Sequence, residues 1–290
     1  MATTFEDFII KCCKAPEWEL RKWITKILTR NGFTIFEDDY VSDRAKIDER
    51  YKTVHNLLAI RGDKPKVCLV AHTDVCRDHD HLKKDKSYFS YQYGQLTKDS
   101  EEKKDLVVKP VLKEVIHKEK MYRIITDENN DVQVGGDDRL GVAINLWIAL
   151  NTGYDMGLLF TTDEEIGLVS ASKVSFKQLK DFNLAVQVDR GNHSDELVIQ
   201  IGGNKLCDYQ TATRLLEIAF DNHMPRKPVN GGGTDVAVLK RNDMVKNAVN
   251  MTCGYHSSYG ASANEYIDVE EARSTMKFVS SIIKDYDLNG

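Results

Sequence analysis

Four short apolar runs in this 290-residue chain each lead into residues that bind cations, and that coincidence limits the fold more than any other feature. VCLVAHTD runs into His72, with Asp74 two positions on; LLFTTDEE runs into Glu164 and Glu165; LAVQVD ends on Asp189; NAVNMTCGYH reaches His256. From residue 157 onward, apolar strand-like runs (Gly157–Phe160, Leu184–Val188, Asn247–Cys253) alternate with helical patterns (Ser170–Leu179, Ala212–Phe220, Val269–Tyr286). Such alternation predicts an α/β fold, three layers deep, with helices on both faces of a mostly parallel central sheet. Sheets of that kind bind ligands outside the carboxyl ends of their strands. The four runs would therefore deliver His, Glu, Asp and His to one edge. GGDDR adds Asp137 at a glycine-softened turn before the helical stretch Leu140–Leu150.

The remaining sequence is consistent with one domain over residues 1–290. Residues 4–31 show two helical stretches, the second ended by Asn31-Gly32. Phe33–Phe36, Asn56–Ile60 and Val67–Ala71 read as strands, and Gly62-Asp63 predicts a hairpin between the last two. Residues 76–120 are dense in charge and read as a surface excursion, reaching to about 130. MYRIITDENNDVQVGG within that reach reads as two strands around an Asn-Asn turn. His79 and His81, in the charged segment, are expected to face solvent.

A formal net charge of -5 argues against a nucleic-acid partner, because phosphate binding wants a basic face. No apolar run is as long as a membrane span, so no membrane partner is expected. The first residues lack a basic region followed by an apolar stretch, so the expected location is cytoplasmic. The cysteines (Cys12, Cys13, Cys68, Cys76, Cys207, Cys253) show no CxxC spacing, and Cys68 and Cys253 sit in apolar runs as buried thiols.

Two histidines with several carboxylates suit zinc, cobalt or manganese. The carboxylates exceed one ion's needs, which favours a pair of ions sharing one of them. Each motif alone has a plainer reading. Glu164-Glu165 would serve as a solvated helix start, Asp189-Arg190 as a surface ion pair, and GGDDR as a simple turn. Their joint occurrence at strand ends is what separates the readings.

Taken together, HTDV, GGDDRLG, TTDEEIG, VQVDRG, GGGTD and GYHS…NEYIDVEE resemble the co-catalytic zinc exopeptidases, a clan of tripeptidases, aminopeptidases, carboxypeptidases and deacylases. IITDENNDVQVGGDDRLGVA looks closest to the peptidase-T-like tripeptidases. The resemblance spans His72 to Glu271 and implies the zinc-exopeptidase (phosphorylase/hydrolase-like) fold. It implies two divalent ions, zinc foremost: one held by His72, Asp137 and Asp189, the other by Asp137, Glu165 and His256. Asp137 would bridge them, followed by a peptide bond often cis in this clan. Asp74 would fix the tautomer of His72, and Glu164 would act as general base. Two departures stand out. Lidded members insert a dimerisation domain between the Asp189 and GGGTD positions, where this chain has only about forty residues. Many members also have HSPNEY, where this chain has HSSYGASANEY.

The expected activity is removal of terminal residues from short peptides, of aminopeptidase or tripeptidase type. Arg190, Gly232, Thr234 and His223 are candidate substrate contacts, Arg190 being as readily a structural ion pair. Deacylation of N-acyl amino acids or carboxypeptidase action on the same site remains open, as does a relative that binds metal without catalysis. The acidic charge and the His-carboxylate motifs weigh against a two-metal nuclease or phosphatase. The oligomer is open, since the lid's dimer contact is missing.

Overall fold

The computed structural model describes residues 4–46, 48–75, 108–130, 132–257 and 265–289. Cys76, His79, His81 and the charged part of the predicted excursion lie outside the described residues, as does most of HSSYGASAN. In chain order come α1 (Phe5–Lys14), α2 (Glu17–Arg30), β1 (Thr34–Glu37), β2 (Leu57–Arg61) and β3 (Val67–His72). Then follow β4 (Pro110–His117), β5 (Lys120–Asp127), α3 (Gly136–Asn151), β6 (Met156–Thr161), β7 (Leu184–Arg190), β8 (Glu196–Ile201) and β9 (Asn204–Lys205). The last elements are α4 (Tyr209–Asp221), β10 (Lys227–Gly231), α5 (Asp235–Arg241), β11 (Ala248–Thr252), β12 (Tyr255–His256), β13 (Tyr266–Asp268) and α6 (Val269–Asn289).

The main sheet runs β1-β2-β6-β3-β7-β11-β8-β10, with β9 appended to β8. Its centre, β6-β3-β7-β11, is parallel, while β1, β2 and β8 join it antiparallel. Every residue of β3 and β6 is buried, as expected for strands covered on both faces. Side chains alternate faces along a strand, so each central strand feeds two cores. Val67, Leu69, Ala71, Leu158 and Phe160 enter the core shared with α1, α2, α3, α4 and α6. Cys68, Val70 and Leu159 enter the opposite core, closed by Phe176, Leu179, Phe182 and the α5 residues Val236 and Leu239. The result is the predicted three-layer α/β architecture. Between β6 and β7 the chain crosses from one side of β3 to the other, the kind of switch point where open sheets place ligands. A smaller sheet, β12-β13-β5-β4, stands beside it.

Several expectations need correction. No hairpin joins β2 to β3: β6 lies between them, antiparallel to β2 and parallel to β3. Gly62 does turn the chain, at φ +95°. The loop that follows is long enough to step across two strand spacings of about 4.8 Å each, so the fully apolar β6 takes the inner place. The hairpin in the excursion turns at Lys118-Glu119, with φ of +48° and +65°, not at Asn129-Asn130. MYRIITD is a strand as read, but β4 upstream supplies its partner, and 132–134 pair with nothing in either sheet. Ser170–Leu179 forms two short 3-10 turns, because Val174 takes an extended ψ of 129° between them. Strands β8 and β10 were missed. They and α4 occupy the stretch between Asp189 and GGGTD, and both strands pair into the main sheet. No described helix is long and apolar enough to cross a membrane.

Candidate metal centre

His72 ends β3, and its side chain is wholly buried. Its Nδ1 lies 3.1 Å from the Asp74 backbone carbonyl and 3.4 Å from Asp74 Oδ1. Both neighbours accept, so Nδ1 carries the proton and Nε2 is left as the donor to a cation. Around Nε2 stand Asp137 Oδ1 at 3.0 Å, Asp189 Oδ1 at 3.6 Å and Glu164 Oε2 at 3.9 Å. The carboxylate of Asp74 is committed elsewhere: its two oxygens accept the backbone N–H groups of Glu164 and Glu165, each at 3.1 Å. Asp74 thus ties the end of β3 to the loop after β6.

Asp137 precedes the regular part of α3, and the Asp137–Asp138 peptide bond is cis. The turn before it needs both glycines. Gly135 sits at φ +90°, and a Cβ on Gly136 would stand 2.4 Å from Tyr255 Cβ. Glu265, buried, accepts the N–H groups of Gly135 (2.7 Å) and Gly136 (3.1 Å). Tyr255 donates its hydroxyl to Asp137 Oδ2 at 3.0 Å. Neither Tyr255 nor Glu265 was singled out from sequence, although both lie inside motifs that were.

Two sets of donors come within 4.8 Å of one another: His72 with Asp137 and Glu165, and His72 with Asp138 and Asp189. Asp138 is the less suitable ligand. Its oxygens already accept the backbone N–H of His72 (3.2 Å) and of Gly141 (3.1 Å), which makes it a buried strut of the turn. Imidazole nitrogen with several carboxylate oxygens is a donor set for zinc-class ions.

The electrostatics fit a cation as well. Burial and the neighbouring Asp137 push the Asp189 carboxyl well above the usual range. Burial, with Asp189, Asp235 and Glu165 nearby, does the same to Glu164. Burial would lower His72, but its bonds to Asp137, Asp189 and Asp74 carry it well above an ordinary imidazole. One imidazolium cannot offset so many carboxylates in a dry site. The excess negative charge is what divalent cations would neutralise.

The other predicted residues fall as follows. His256 Nε2 lies 3.0 Å from Glu271 Oε2, and its ring stacks on Tyr266, so it belongs to neither donor set in this conformation. Arg190 bonds Glu196 through Nε at 2.5 Å, which is the ion-pair alternative. Thr234 is buried and donates to Gln187 Oε1 at 2.6 Å, 3.3 Å from Asp189 Oδ2, so it supports the site from behind and does not face substrate. Gly232 is exposed with open space where a Cβ would go, so nothing there requires glycine. His223 is exposed just past α4, with its backbone at φ +56°, and makes no hydrogen bond to the donor cluster among the described residues.

No family model matches this sequence, and no curated protein matches it. Its fold has clear counterparts among solved structures. The aminopeptidase PepT of Bacillus cereus superposes with a TM-score of 0.67 at 14% identity, over 98% of each chain. A tripeptidase of Staphylococcus aureus gives 0.66 at 12% identity, again over 98% of each. An aminopeptidase of the archaeon Desulfurococcus kamchatkensis gives 0.62 at 14% identity, over 97% of this chain and 96% of that one. The shared feature is the fold.

Proposed function

We propose that this chain is a divalent-metal exopeptidase of aminopeptidase or tripeptidase type, acting on short peptides. The observation that carries the reading is the convergence of His72, Asp137, Asp189, Glu164 and Glu165 at the carboxyl edge of the parallel strands. The named activities of the fold's counterparts agree with it.

His72, Asp137 and Asp189 would hold one ion, and Asp137 with Glu165 a second. His256 would join the second set if it left Glu271. Such ions, zinc or else cobalt or manganese, supply an acidified water and polarise the scissile carbonyl. The protein's own residues do the rest. Glu164 is raised in pKa, 17% exposed and 3.9 Å from His72 Nε2, so it can take the proton of the attacking water and hand it to the leaving amine. Asp74 aims that carboxylate by gripping the backbone of residues 164 and 165. Tyr255 and Glu265 fix Asp137 from the other side.

The test joins metal analysis to a panel of free and N-blocked peptides. Expected are bound divalent ions, cleavage that needs a free amino terminus, and at least about a hundredfold loss of turnover in Glu164→Ala with metal retained. Glu165→Ala or Asp137→Ala should lose metal. Cleavage of N-blocked substrates alone would move the assignment to a deacylase, and full activity in Glu164→Ala would overturn the base.

A further inference from the structure

Strand β7 is apolar from Leu184 to Val188 apart from one polar side chain, Gln187, which is wholly buried. Its side chain shares a face with Asp189 two residues on. A buried amide left unbonded would cost about 1–3 kcal/mol per group, yet here each of its hydrogen-bonding positions is filled. Oε1 accepts from Thr234 Oγ1 at 2.6 Å and from the Val236 backbone N–H at 3.1 Å. A backbone N–H can only donate, so the oxygen must face α5 and the NH2 must face the other way. Nε2 donates to Asp189 Oδ2 at 3.2 Å and to Asp235 Oδ2 at 3.4 Å. Asp235 Oδ2 also accepts the hydroxyl of Thr161, which ends β6 three residues before Glu164.

The consequence falls on Asp189. Its Oδ2 is engaged by Gln187, its Oδ1 is turned toward His72 Nε2 at 3.6 Å, and its backbone N–H is held by Asn250 Oδ1 at 3.0 Å. We infer that Gln187 is a positioning residue that reserves one oxygen of Asp189 for the protein and leaves one for the cation. Its amide keeps Asp189 a one-oxygen ligand and, through Asp235 and Thr161, locks that ligand to the strand end that presents Glu164. This rests on the divalent-metal reading above. A merely structural Gln187 would instead serve only to anchor the start of α5 through Thr234 and Val236.

The experiment titrates apo-protein with Co(II) and follows the visible spectrum, beside circular dichroism and unfolding. Gln187→Met keeps length and burial but cannot donate to Asp189. The expected result is a folded protein that binds one ion about 10–100-fold more weakly than wild type, with a changed Co(II) spectrum as Asp189 gains freedom to use both oxygens. Thr234→Val, which removes a hydroxyl that orients the amide, should shift the spectrum the same way, and Thr234→Ser should restore it. Should Gln187→Met fail to fold, the Thr234 pair carries the test alone. Wild-type affinity and spectrum in a folded Gln187→Met or Thr234→Val protein overturn the inference and leave the metal centre standing. A wild-type chain that takes up no Co(II) overturns the metal centre, and the role of Gln187 with it.

Discussion

Beneath the donor cluster, single residues carry large stakes, and Arg44 carries the largest. It is buried, pairing with Glu17 and with Asp163 at 2.7 Å each, and its guanidinium stacks on Tyr51. Glu17 also accepts the hydroxyls of Thr73 (2.7 Å) and Thr162 (2.6 Å), which flank His72 and precede Glu164. Asp163, at φ +53°, is further held by the Tyr40 hydroxyl. Removing Arg44 would strand two carboxylates in a dry interior. Arg44→Ala is therefore expected to destabilise the fold by about 3–5 kcal/mol in urea unfolding. Arg44→Met with Glu17→Gln should recover part of that loss, since it deletes both members of a pair. A loss below about 1 kcal/mol for Arg44→Ala would mean that water reaches these charges.

At the scale of elements, the sequence was read well where local pattern and burial agree. Strands β3, β6, β7 and β11 are apolar throughout, and α1, α2 and α6 have clear periodicity, so all were placed close to where they fall. Their order in the sheet was not legible, because β6 enters between β2 and β3 through contacts distant in sequence. Strand β10 (KPVNG) escaped because it is short and exposed, with a proline and a glycine. In the site, ligand-type residues at strand ends were legible by chemistry. Gln187 and Glu265 were not, because an amide in a strand and a carboxylate past a loop show their purpose only when the chain is folded. The β4–β5 hairpin offers a test of local against tertiary control. Lys118 and Glu119 occupy left-handed backbone that Asn-Gly adopts more readily. Lys118→Asn with Glu119→Gly should stabilise the protein by about 0.5–1 kcal/mol in denaturant unfolding. No gain would mean that pairing of β5 with β13 alone sets the hairpin.

Across the whole molecule, charge is spent in two opposite ways. At the seam of α1, β5 and α6, Glu6 is buried between Arg123 (2.6 Å) and Arg273 (2.7 Å). Burial raises its pKa, but the bond to Arg273 and the charge of both arginines leave it below the usual value. A depressed carboxyl lends stability above its unfolded pKa and withdraws it as pH falls through its folded pKa. Glu6→Gln should thus cost stability at neutral pH and approach wild type in acid, where the native Glu6 is protonated too. An equal deficit at both ends of a pH series of unfolding midpoints would rule the linkage out. The metal centre is arranged the other way. Asp137, Asp189, Glu164, Glu165 and Asp235 crowd one buried imidazole, and burial alone pushes Asp235 up to about 6. Such a cluster opposes folding until cations enter, so bound ions should appear as stability. By mass action, zinc at a hundred times its dissociation constant adds about 2.7 kcal/mol per site, and chelation removes it. Thermal unfolding with EDTA and then with graded zinc should therefore show a midpoint that rises with metal concentration, and Asp189→Asn should blunt that rise. A midpoint indifferent to both reagents would mean the carboxylates are settled by protons alone, and the centre would lose its claim to metal.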